Sequence, residues 1–481
     1  MDDDAKALQE LGYVQELARR MGAFSNFAIS MSIICILAGG VTSFHLGFCS
    51  VGGAAIGLGW PLACSFSLIV AATMAQVASA YPTAGGLYHW GVVLGGRGWG
   101  WAVAWFNLAG LVTVLAAINV GAYRFLVDSL GPPWGESEIA QALGVGLITV
   151  SQAAINHVGI RAVTRLTDFS GWWVLLVSAV LTFALLACAP SWDLGRLTTF
   201  ANFSGPAGAN VWPGTHGLTW LFALGLLLPA YTITGFDASA HTAEETIGAA
   251  RNVPKGIVRS VLVSGLAGWL MLVAVVLAMP SLDEAAARGE GAFRWTLERG
   301  LPRPLSVALI AGIGLAQYLC GLATVTSASR MAFAFARDGG LPWSAGIRWV
   351  CPRHRTPPAA IWMVACAGLL FTIFTPVYAT ITAVCTILLY VSYVIPTALG
   401  FLAHGRTWTE MGPWHLGPWY KPLAVLSVLG CSVLIVIGMQ PPNDRAIWVL
   451  GGFTLFLLVG WWGGARSRFA GPPTVRGKRV A

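Results

Sequence analysis

The sequence predicts an all-α polytopic membrane protein with twelve transmembrane helices, and three observations support this fold class. Charged residues make up 10% of the 481 positions, whereas a typical soluble domain contains about 25%. Hydrophobic residues reach 56%, which is more apolar surface than a soluble protein can cover. The apolar residues form continuous stretches of about 20 residues rather than alternating patterns, which favours membrane helices over a transmembrane β-barrel.

Twelve apolar stretches are each long enough to cross a hydrocarbon core of ~30 Å. The predicted spans are residues 24–48, 54–79, 99–123, 139–157, 169–189, 217–237, 256–279, 304–335, 357–375, 379–403, 422–440 and 446–464. The segments between them are short, so the sequence predicts no soluble domain.

The distribution of basic residues predicts how these spans are oriented. With an even number of spans and the N-terminus inside, 21 of the 28 Lys and Arg residues fall on the cytoplasmic side and 7 on the outer side. Cytoplasmic loops of membrane proteins carry such an excess of positive charge. Topology therefore accounts for the net charge of +8, and no nucleic-acid partner is predicted. We expect a multi-pass protein of the plasma (inner) membrane with both termini in the cytoplasm.

The first and sixth predicted spans contain helix-breaking residues near their middles. Gly39 and Gly40 lie in the first span, and Pro229 and Gly235 lie in the sixth. Irregular backbone at membrane depth occurs only where it lines a cavity or is buried in protein. Paired interruptions at corresponding positions of two repeats indicate the binding site of a secondary transporter. The alternative explanation of the glycine pair is close helix packing.

An interrupted helix can bind charge through its own backbone. Freed N–H groups suit a carboxylate, and freed carbonyl groups suit an ammonium group or Na⁺. Asp237 is the one carboxylate that the predicted boundaries place near the end of an apolar span. Because a carboxylate at mid-membrane costs ~3 kcal/mol on insertion scales, we predict a functional role for Asp237, with a simple helix cap as the alternative.

Four stretches make the chain similar to a known family of transporters. They are residues 11–20, 78–88 (ASAYPTAGGLY), 235–254 (beginning GFDASAHTAEET) and 329–342 (ending AFARDGGLP). The chain resembles the amino acid–polyamine–organocation permeases, and within them the amino acid/choline transporter branch, which includes γ-aminobutyrate and choline permeases. The resemblance covers nearly the whole chain.

The resemblance implies a five-plus-five inverted-repeat core with interrupted helices 1 and 6 in residues 24–403. Two further helices would follow in residues 404–464, between a cytoplasmic segment 1–23 and a basic cytoplasmic tail 465–481. The implied activity is secondary active transport of an amino acid or related small amine such as γ-aminobutyrate, by alternating access and without a cofactor.

Other functions remain alternatives at this stage. The nearest is an organic amine carrier for choline, a polyamine or a guanidine-type solute. A channel would need a ring of charges or repeated filter residues, and an enzyme would need acid and base groups clustered within the spans; the sequence has neither pattern. The sequence does not distinguish a monomer from a homodimer in the lipid bilayer.

The resemblance also implies where a small-molecule substrate binds, and residue polarity and depth extend this set. The residues implied on the first and sixth spans are Ile36, Ala38, Gly39, Gly40, Val41, Tyr231 (at an aromatic gate position), Thr234, Gly235 and Phe236. The hydroxyl residue Thr42, which follows the glycine pair, is included with them. The residues added from polarity and depth on the third, eighth and tenth spans are Asn107, Thr324, Tyr390 and Tyr393.

Two departures from the family pattern leave the coupling ion open between H⁺ and Na⁺, with uniport and exchange as further alternatives. Gln76 stands where family members often carry Glu, and residues 169–189 lack the Lys that some proton-coupled relatives use. Thr326 and Ser327 supply hydroxyl oxygens on the eighth span, and hard cations take oxygen ligands. The predicted gating or coupling residues are Asp237, Gln76, Thr326 and Ser327.

One motif with metal-ligand residue types is assigned to a structural role. His241, Glu244 and Glu245 have helical spacing, but no second His completes a metal site. We therefore predict no metal site, and we expect a salt-bridged loop that faces Arg251 or Arg259.

Overall fold

Helices make up the regular secondary structure of the residues that the structure describes. A computed structural model describes residues 3–127, 137–215, 217–374 and 378–473. These residues contain no β-strand, and β-type pairing is limited to two isolated bridges, Met21 with Thr246 and His404 with Trp408. In chain order the α-helices are α1 (Asp3–Glu10), α2 (Ala23–Ile34), α3 (Gly39–Thr42), α4 (Phe44–Val51), α5 (Trp60–Ala80), α6 (Leu87–Gly95), α7 (Arg97–Val127), α8 (Glu138–Val158), α9 (Ile160–Cys188), α10 (Leu218–Gly225), α11 (Leu227–Thr232), α12 (Ala238–His241), α13 (Ala249–Ala278), α14 (Leu282–Ala286), α15 (Ala292–Gly300), α16 (Arg303–Arg337), α17 (Ser344–Ile347), α18 (Pro358–Phe374), α19 (Tyr378–Ala403), α20 (Tyr420–Gly438), α21 (Arg445–Gly460) and α22 (Arg466–Arg468).

Ten helical segments within the described residues are long and apolar enough to cross a membrane. They are Ala23–Thr42, Ala55–Ala80, Arg97–Val127, Glu138–Val158, Ile160–Cys188, Ala249–Ala278, Arg303–Arg337, Ile381–Ala403, Gly417–Gly438 and Arg445–Arg468. Two shorter apolar segments, Leu218–Thr232 and Pro358–Ile373, overlap the sixth and ninth predicted spans. The prediction of an all-helical polytopic membrane protein is therefore confirmed.

Two helices begin several residues before the boundaries that apolarity predicts. α9 begins directly after Gly159, whose φ is 137°, so Arg161, Arg165 and Asp168 belong to the helix. α13 likewise begins early, at Ala249. Apolarity alone misses these turns because charged residues lower its signal, although Lys and Arg commonly flank the apolar part of a membrane helix.

The early start of α13 requires an accommodation for Pro254, which lies inside the helix. A proline has no N–H group, so the carbonyl four residues earlier loses its helical partner. That carbonyl belongs to Ala250, and the Ser79 hydroxyl at the end of α5 donates to it at 2.8 Å. The polar side chain of one helix thus completes the backbone hydrogen bonding of another.

Burial separates the central helices from the lipid-facing ones. The apolar windows of Ala23–Thr42 and Arg97–Val127 are 89% and 83% buried, whereas that of Arg445–Arg468 is 11% buried. A helix that is apolar on all sides and buried lies at the centre of a bundle. α2, α3 and α7 are therefore central, and α21 lies at the periphery.

Regular helical structure stops within the first span. α2 ends at Ile34, Cys35 has a φ of 24°, and helical structure resumes at Gly39. The interruption thus precedes the glycine pair, which begins α3. A Cβ atom on Gly39 would lie 2.9 Å from the Thr232 Cα atom, so Gly39 permits close packing against the sixth span.

A second interruption lies in the sixth span. α11 ends at Thr232, and α12 begins at Ala238. Gly235 between them has a φ of 84°, a conformation that residues with a Cβ rarely adopt. A Cβ at this position would also collide with the Ile33 side chain, so backbone conformation and packing both require glycine.

Candidate functional site

The two interruptions are joined by hydrogen bonds between the first and sixth spans. The Ser30 hydroxyl of α2 donates to the Phe236 carbonyl at 2.8 Å and accepts from the Ser239 N–H at 2.9 Å. The Asn26 side-chain amide donates to the Ser239 carbonyl at 2.9 Å. Together with the contact between Gly39 and Thr232, these bonds hold the two irregular segments side by side in the interior.

The interruption in the first span leaves backbone donors without acceptors. Two carbonyl groups at this interruption accept hydrogen bonds from α16. The Gln317 side-chain amide donates to the Leu37 carbonyl, and the Cys320 thiol donates to the Ile33 carbonyl, each at 3.3 Å. Within the described part of the chain, the N–H groups of Ile36 and Leu37 donate to no acceptor, and both residues are buried. Because buried unpaired N–H groups are rare, these two can receive an acceptor from a ligand.

The interruption in the sixth span has the same property. Among the described residues, the N–H groups of Thr234 and Phe236 have no acceptor, and both residues are buried. The Gly235 N–H between them is satisfied by the Tyr393 hydroxyl oxygen at 3.1 Å. Both irregular segments therefore present unpaired backbone donors, as expected for a site that binds charge through backbone groups.

Asp237 is the centre of a buried polar network beside these segments. Its Oδ2 atom accepts a hydrogen bond from the Asn107 side-chain amide at 2.9 Å and lies 3.1 Å from His241 Nε2. Its Oδ1 atom accepts from the Tyr393 hydroxyl at 2.8 Å. Since that hydroxyl also accepts from the Gly235 N–H, Tyr393 links the carboxylate to the irregular backbone. The structure thus brings together α7, α19 and the sixth span.

The other predicted residues on α16 and α19 make simpler contacts. The Tyr390 ring lies 5.9 Å from the Tyr393 ring, and its hydroxyl points to the Ala230 carbonyl at 3.4 Å. The Thr324 hydroxyl donates to the Cys320 carbonyl of its own helix at 2.9 Å. Tyr390 therefore lies against the sixth span, whereas Thr324 is bonded within α16.

Three predicted residues line cavities outside this network. Val41 and Thr42 line a cavity together with Arg124 and Arg294. Tyr231 lines a second cavity with Leu46, Leu227 and Thr386, among others. In this conformation Tyr231 is therefore at a cavity wall, next to the irregular segment that follows it.

The predicted coupling residues fall into different environments. The Thr326 hydroxyl donates to Asn156 Oδ1 at 2.7 Å. Ser327 is buried, and its hydroxyl has no partner among the described residues. Gln76 contacts the loop before α20 instead, since its Oε1 atom accepts from the Leu416 N–H at 2.8 Å.

A network of buried amide side chains joins α7, α8 and α16, and none of its members is among the site residues predicted from the sequence. The Asn119 and Gln152 side chains exchange two hydrogen bonds, at 2.9 and 3.0 Å. The Asn156 amide donates to the Leu322 carbonyl at 3.1 Å. The sequence does carry a signal for this network, because all three amide residues lie inside predicted apolar spans. Polar residues in such spans normally face the interior of the bundle.

Four charges, three of them buried and the fourth, Arg337, 10% exposed, form a layer next to α12. Glu244 and Arg337 make a bidentate ion pair at 2.8 and 2.9 Å, and Glu245 and Arg330 make another at 3.0 and 3.1 Å. Burial raises the pKa of Glu244, but the charge and hydrogen bonds of Arg337 and the Ala84 N–H outweigh it, so this pKa lies below the usual value. Glu244 is thus held as the ionised partner of Arg337.

The predicted salt bridges of Glu244 and Glu245 are present, but the arginines predicted to form them were wrong. Arg251 and Arg259 are exposed on α13, whereas Arg330 and Arg337 at the end of α16 bind the two glutamates. Residues seven apart share one face of a helix. The two arginines therefore reach adjacent carboxylates together, while the two α13 arginines stay exposed.

The N-terminal segment covers this charged layer. The Tyr13 and Tyr88 hydroxyls both donate to Asp338 Oδ2, at 2.7 and 2.8 Å. The Arg337 guanidinium lies over the Tyr13 ring, 3.9 Å from its centroid. Burial raises the pKa of Asp338, although Arg337 and the two tyrosine hydrogen bonds oppose this shift. This arrangement closes one end of the bundle.

The chain is similar to amino acid permeases along nearly its whole length. A family model described as "Amino acid permease" matches residues 21–462. The chain is 33% identical over 512 aligned residues to the amino-acid permease BAT1 of Arabidopsis thaliana, covering 98% of this chain and 96% of that protein. It is 32% identical to a BAT1 homolog of Oryza sativa subsp. japonica, with 97% and 95% covered.

A more distant relative has a name that specifies a substrate. The chain is 27% identical over 485 residues to the GABA-specific permease of Saccharomyces cerevisiae, covering 94% of this chain and 83% of that protein. These relatives are named as permeases and not as enzymes.

Proposed function

The chain belongs to the amino acid permease family, and we propose that it is a secondary active transporter that moves an amino acid or related small amine, such as γ-aminobutyrate, across the plasma membrane by alternating access. The observation that carries this proposal is the pair of facing interruptions in the first and sixth spans with buried, unpaired N–H groups. A substrate carboxylate can accept from these donors, and the Ile36 and Thr234 carbonyls, which accept no hydrogen bond among the described residues, can accept from its ammonium group.

Helix packing supports the proposal of twelve spans with a five-plus-five inverted-repeat core in residues 24–403. If α5, α7, α8 and α9 correspond to α13, α16, α18 and α19, each contact should recur in the other repeat. α7 packs on α19 as α16 packs on α9, and α7 packs on α18 as α16 packs on α8. Equivalent helices α5 and α13, α7 and α16, and α8 and α18 also pack together.

Alternating access requires that the closed end of the bundle opens. With both termini in the cytoplasm, as the distribution of basic residues predicts, the layer of Tyr13, Asp338 and the two ion pairs closes the cytoplasmic end. Separation of the N-terminal segment from α16 would expose the irregular segments to the cytoplasm. Residues 404–464 would form the two helices added to this core.

Uptake by the purified full-length protein in liposomes tests the proposed function. Labelled γ-aminobutyrate, neutral and basic amino acids, and choline are supplied with and without Na⁺ and a pH gradient, with protein-free liposomes as the control. We expect saturable uptake of an amino acid, and the gradient that drives accumulation identifies the coupling ion. Saturable uptake of choline alone would favour the organic amine carrier, and no saturable uptake of any solute would contradict the proposal.

Two helical glycines provide a matched test of the contact between the interruptions. In Gly39→Ala the new Cβ meets the Thr232 backbone at 2.9 Å, whereas in Gly146→Ala of α8, outside the predicted binding residues, the nearest atom is Leu369 Cδ1 at 3.8 Å. Overpacking costs ~1–3 kcal/mol, so we expect Gly39→Ala to lower the initial uptake rate about tenfold or more and Gly146→Ala to retain it. Equal rates for the two variants at equal membrane levels would contradict this role of the contact.

A further inference from the structure

A cluster of arginines surrounds a pocket at the junction of α8 and α9, away from the interrupted helices. Its basic lining residues are Arg20, Arg161, Arg165, Arg353, His354 and Arg355. They come from three separate parts of the chain, namely the N-terminal segment, the start of α9 and the loop before α18. The fold therefore brings these charges together from distant parts of the sequence, and they are not simply the polar face of one helix.

The positive charge of this pocket is not neutralised by the protein. In the described part of the chain, none of its five arginines forms an ion pair, and the Arg355 guanidinium reaches only the Glu16 carbonyl, at 3.5 Å. Asp168, the acidic residue of α9, instead interacts with Ser25 of α2. Several like charges around one pocket repel each other, so binding of an anion relieves this repulsion.

The backbone adds donors of the same kind. α9 begins after Gly159, and no side chain caps its N-terminus. The first N–H groups of a helix have no acceptor within the helix and point outward, where they favour anions. Gly159 and Ile160 line the pocket together with the arginines, so these donors and the guanidinium groups act on the same space. Arginine pairs with phosphate through parallel hydrogen bonds.

Two apolar stripes lead away from the pocket along α8 and α9. Their large side chains are exposed and follow helical spacing from the pocket end: Val158, Val150, Leu147, Leu143 and Ile139 on α8, and Phe169, Trp172, Leu176, Val180 and Phe183 on α9. Arg161 and Arg165 continue the α9 stripe at four-residue steps. A bound molecule thus meets positive charge at one end and lipid-facing apolar surface at the other.

We propose that this pocket binds the phosphate of an anionic phospholipid, whose acyl chains lie along the exposed faces of α8 and α9. Basic pockets between transmembrane helices bind anionic headgroups in this way. Phosphate is the chemical group recognised, and the apolar stripes assign it to a lipid and not to free phosphate. This lipid site is separate from the irregular segments of the first and sixth spans.

Native mass spectrometry of the purified full-length protein tests this site with phosphatidylglycerol and phosphatidylcholine of identical acyl chains. We expect tighter binding of phosphatidylglycerol, and about tenfold weaker binding of it to Arg161→Gln/Arg165→Gln. The matched control Arg251→Gln/Arg259→Gln removes the same charge from exposed positions of α13 and should bind as the unmodified protein does. If the first pair impairs folding, Arg353→Gln/Arg355→Gln tests the same pocket from its loop.

Three outcomes would overturn the proposal. The first is unchanged phosphatidylglycerol affinity in both pocket variants. The second is an equal loss in the α13 control, which would indicate a general effect of net charge. The third is displacement of phosphatidylglycerol by an equal concentration of inorganic phosphate, which would assign the pocket to a free anion.

Discussion

Asp237→Asn is expected to lower substrate uptake about tenfold or more, and this is one of the two largest effects that the structure predicts. The carboxylate accepts hydrogen bonds from Asn107 and Tyr393 and contacts His241. An asparagine presents an N–H₂ group to one of these donors, so at least one bond is lost. Hydrogen bonds to charged groups contribute about 1.5–3 kcal/mol each, and 1.4 kcal/mol corresponds to about tenfold in rate.

The reason to expect an effect on transport as well as on stability is the position of Tyr393. Its hydroxyl donates to Asp237 and accepts from the Gly235 N–H in the irregular segment. If Asp237 ceases to accept, the tyrosine loses the partner that fixes its hydroxyl hydrogen. The segment that we propose to bind substrate is then less well positioned.

A second aspartate provides the control for this experiment. Asp168→Asn makes the same chemical change in α9, at a partly buried residue outside the network, and should retain near-normal uptake. Tyr393→Phe removes only the hydroxyl and should lower uptake in the same direction as Asp237→Asn. The measurement is the initial uptake rate of each variant in liposomes, compared with that of the unmodified protein at matched protein levels. A normal rate in Asp237→Asn would show that the carboxylate is dispensable.

Much of the fold could be predicted because membrane helices leave a strong one-dimensional signal. The ten long apolar segments and the two shorter ones each overlap a predicted span. The boundaries of α9 and α13 could not be placed this way, because charged side chains in their first turns lower the apolar signal. The continuation of α13 through Pro254 depends on Ser79, a partner from another helix that local sequence does not specify.

The candidate site was less predictable because its contacts join distant parts of the chain. Depth and polarity selected Asn107 and Tyr393, and the structure places both on Asp237. The family pattern selected Gln76 as a gating or coupling residue, and its side chain contacts the loop before α20. The sequence does not show which way a polar side chain within a span points. Its position along the span therefore cannot tell a residue that contacts Asp237 from one that contacts a loop.

The second large effect concerns the ion pair between Glu245 and Arg330, whose side chains are both fully buried. Arg330→Met is expected to lower the free energy of unfolding by about 3–5 kcal/mol, because it leaves an unpaired carboxylate in a dry environment. Thermal unfolding of the purified protein in detergent measures the loss. The control is Arg294→Met, which removes an arginine from a pair with the half-exposed Glu298; exposed pairs contribute about 0–1 kcal/mol.

The double variant Glu245→Met/Arg330→Met separates the value of the pair from the cost of breaking it. Replacing a buried ion pair by apolar residues of similar volume is often neutral or stabilising, so the double variant should recover most of the stability that either single change loses. The backbone role of Glu245 persists, because its carbonyl still accepts from the Arg20 and Met21 N–H groups. Additive losses in the double variant would contradict this account. A stable double variant with altered uptake would instead assign the pair to closure of the end of the bundle that the N-terminal segment covers, because a pair needed only for stability would leave transport unchanged once stability is restored.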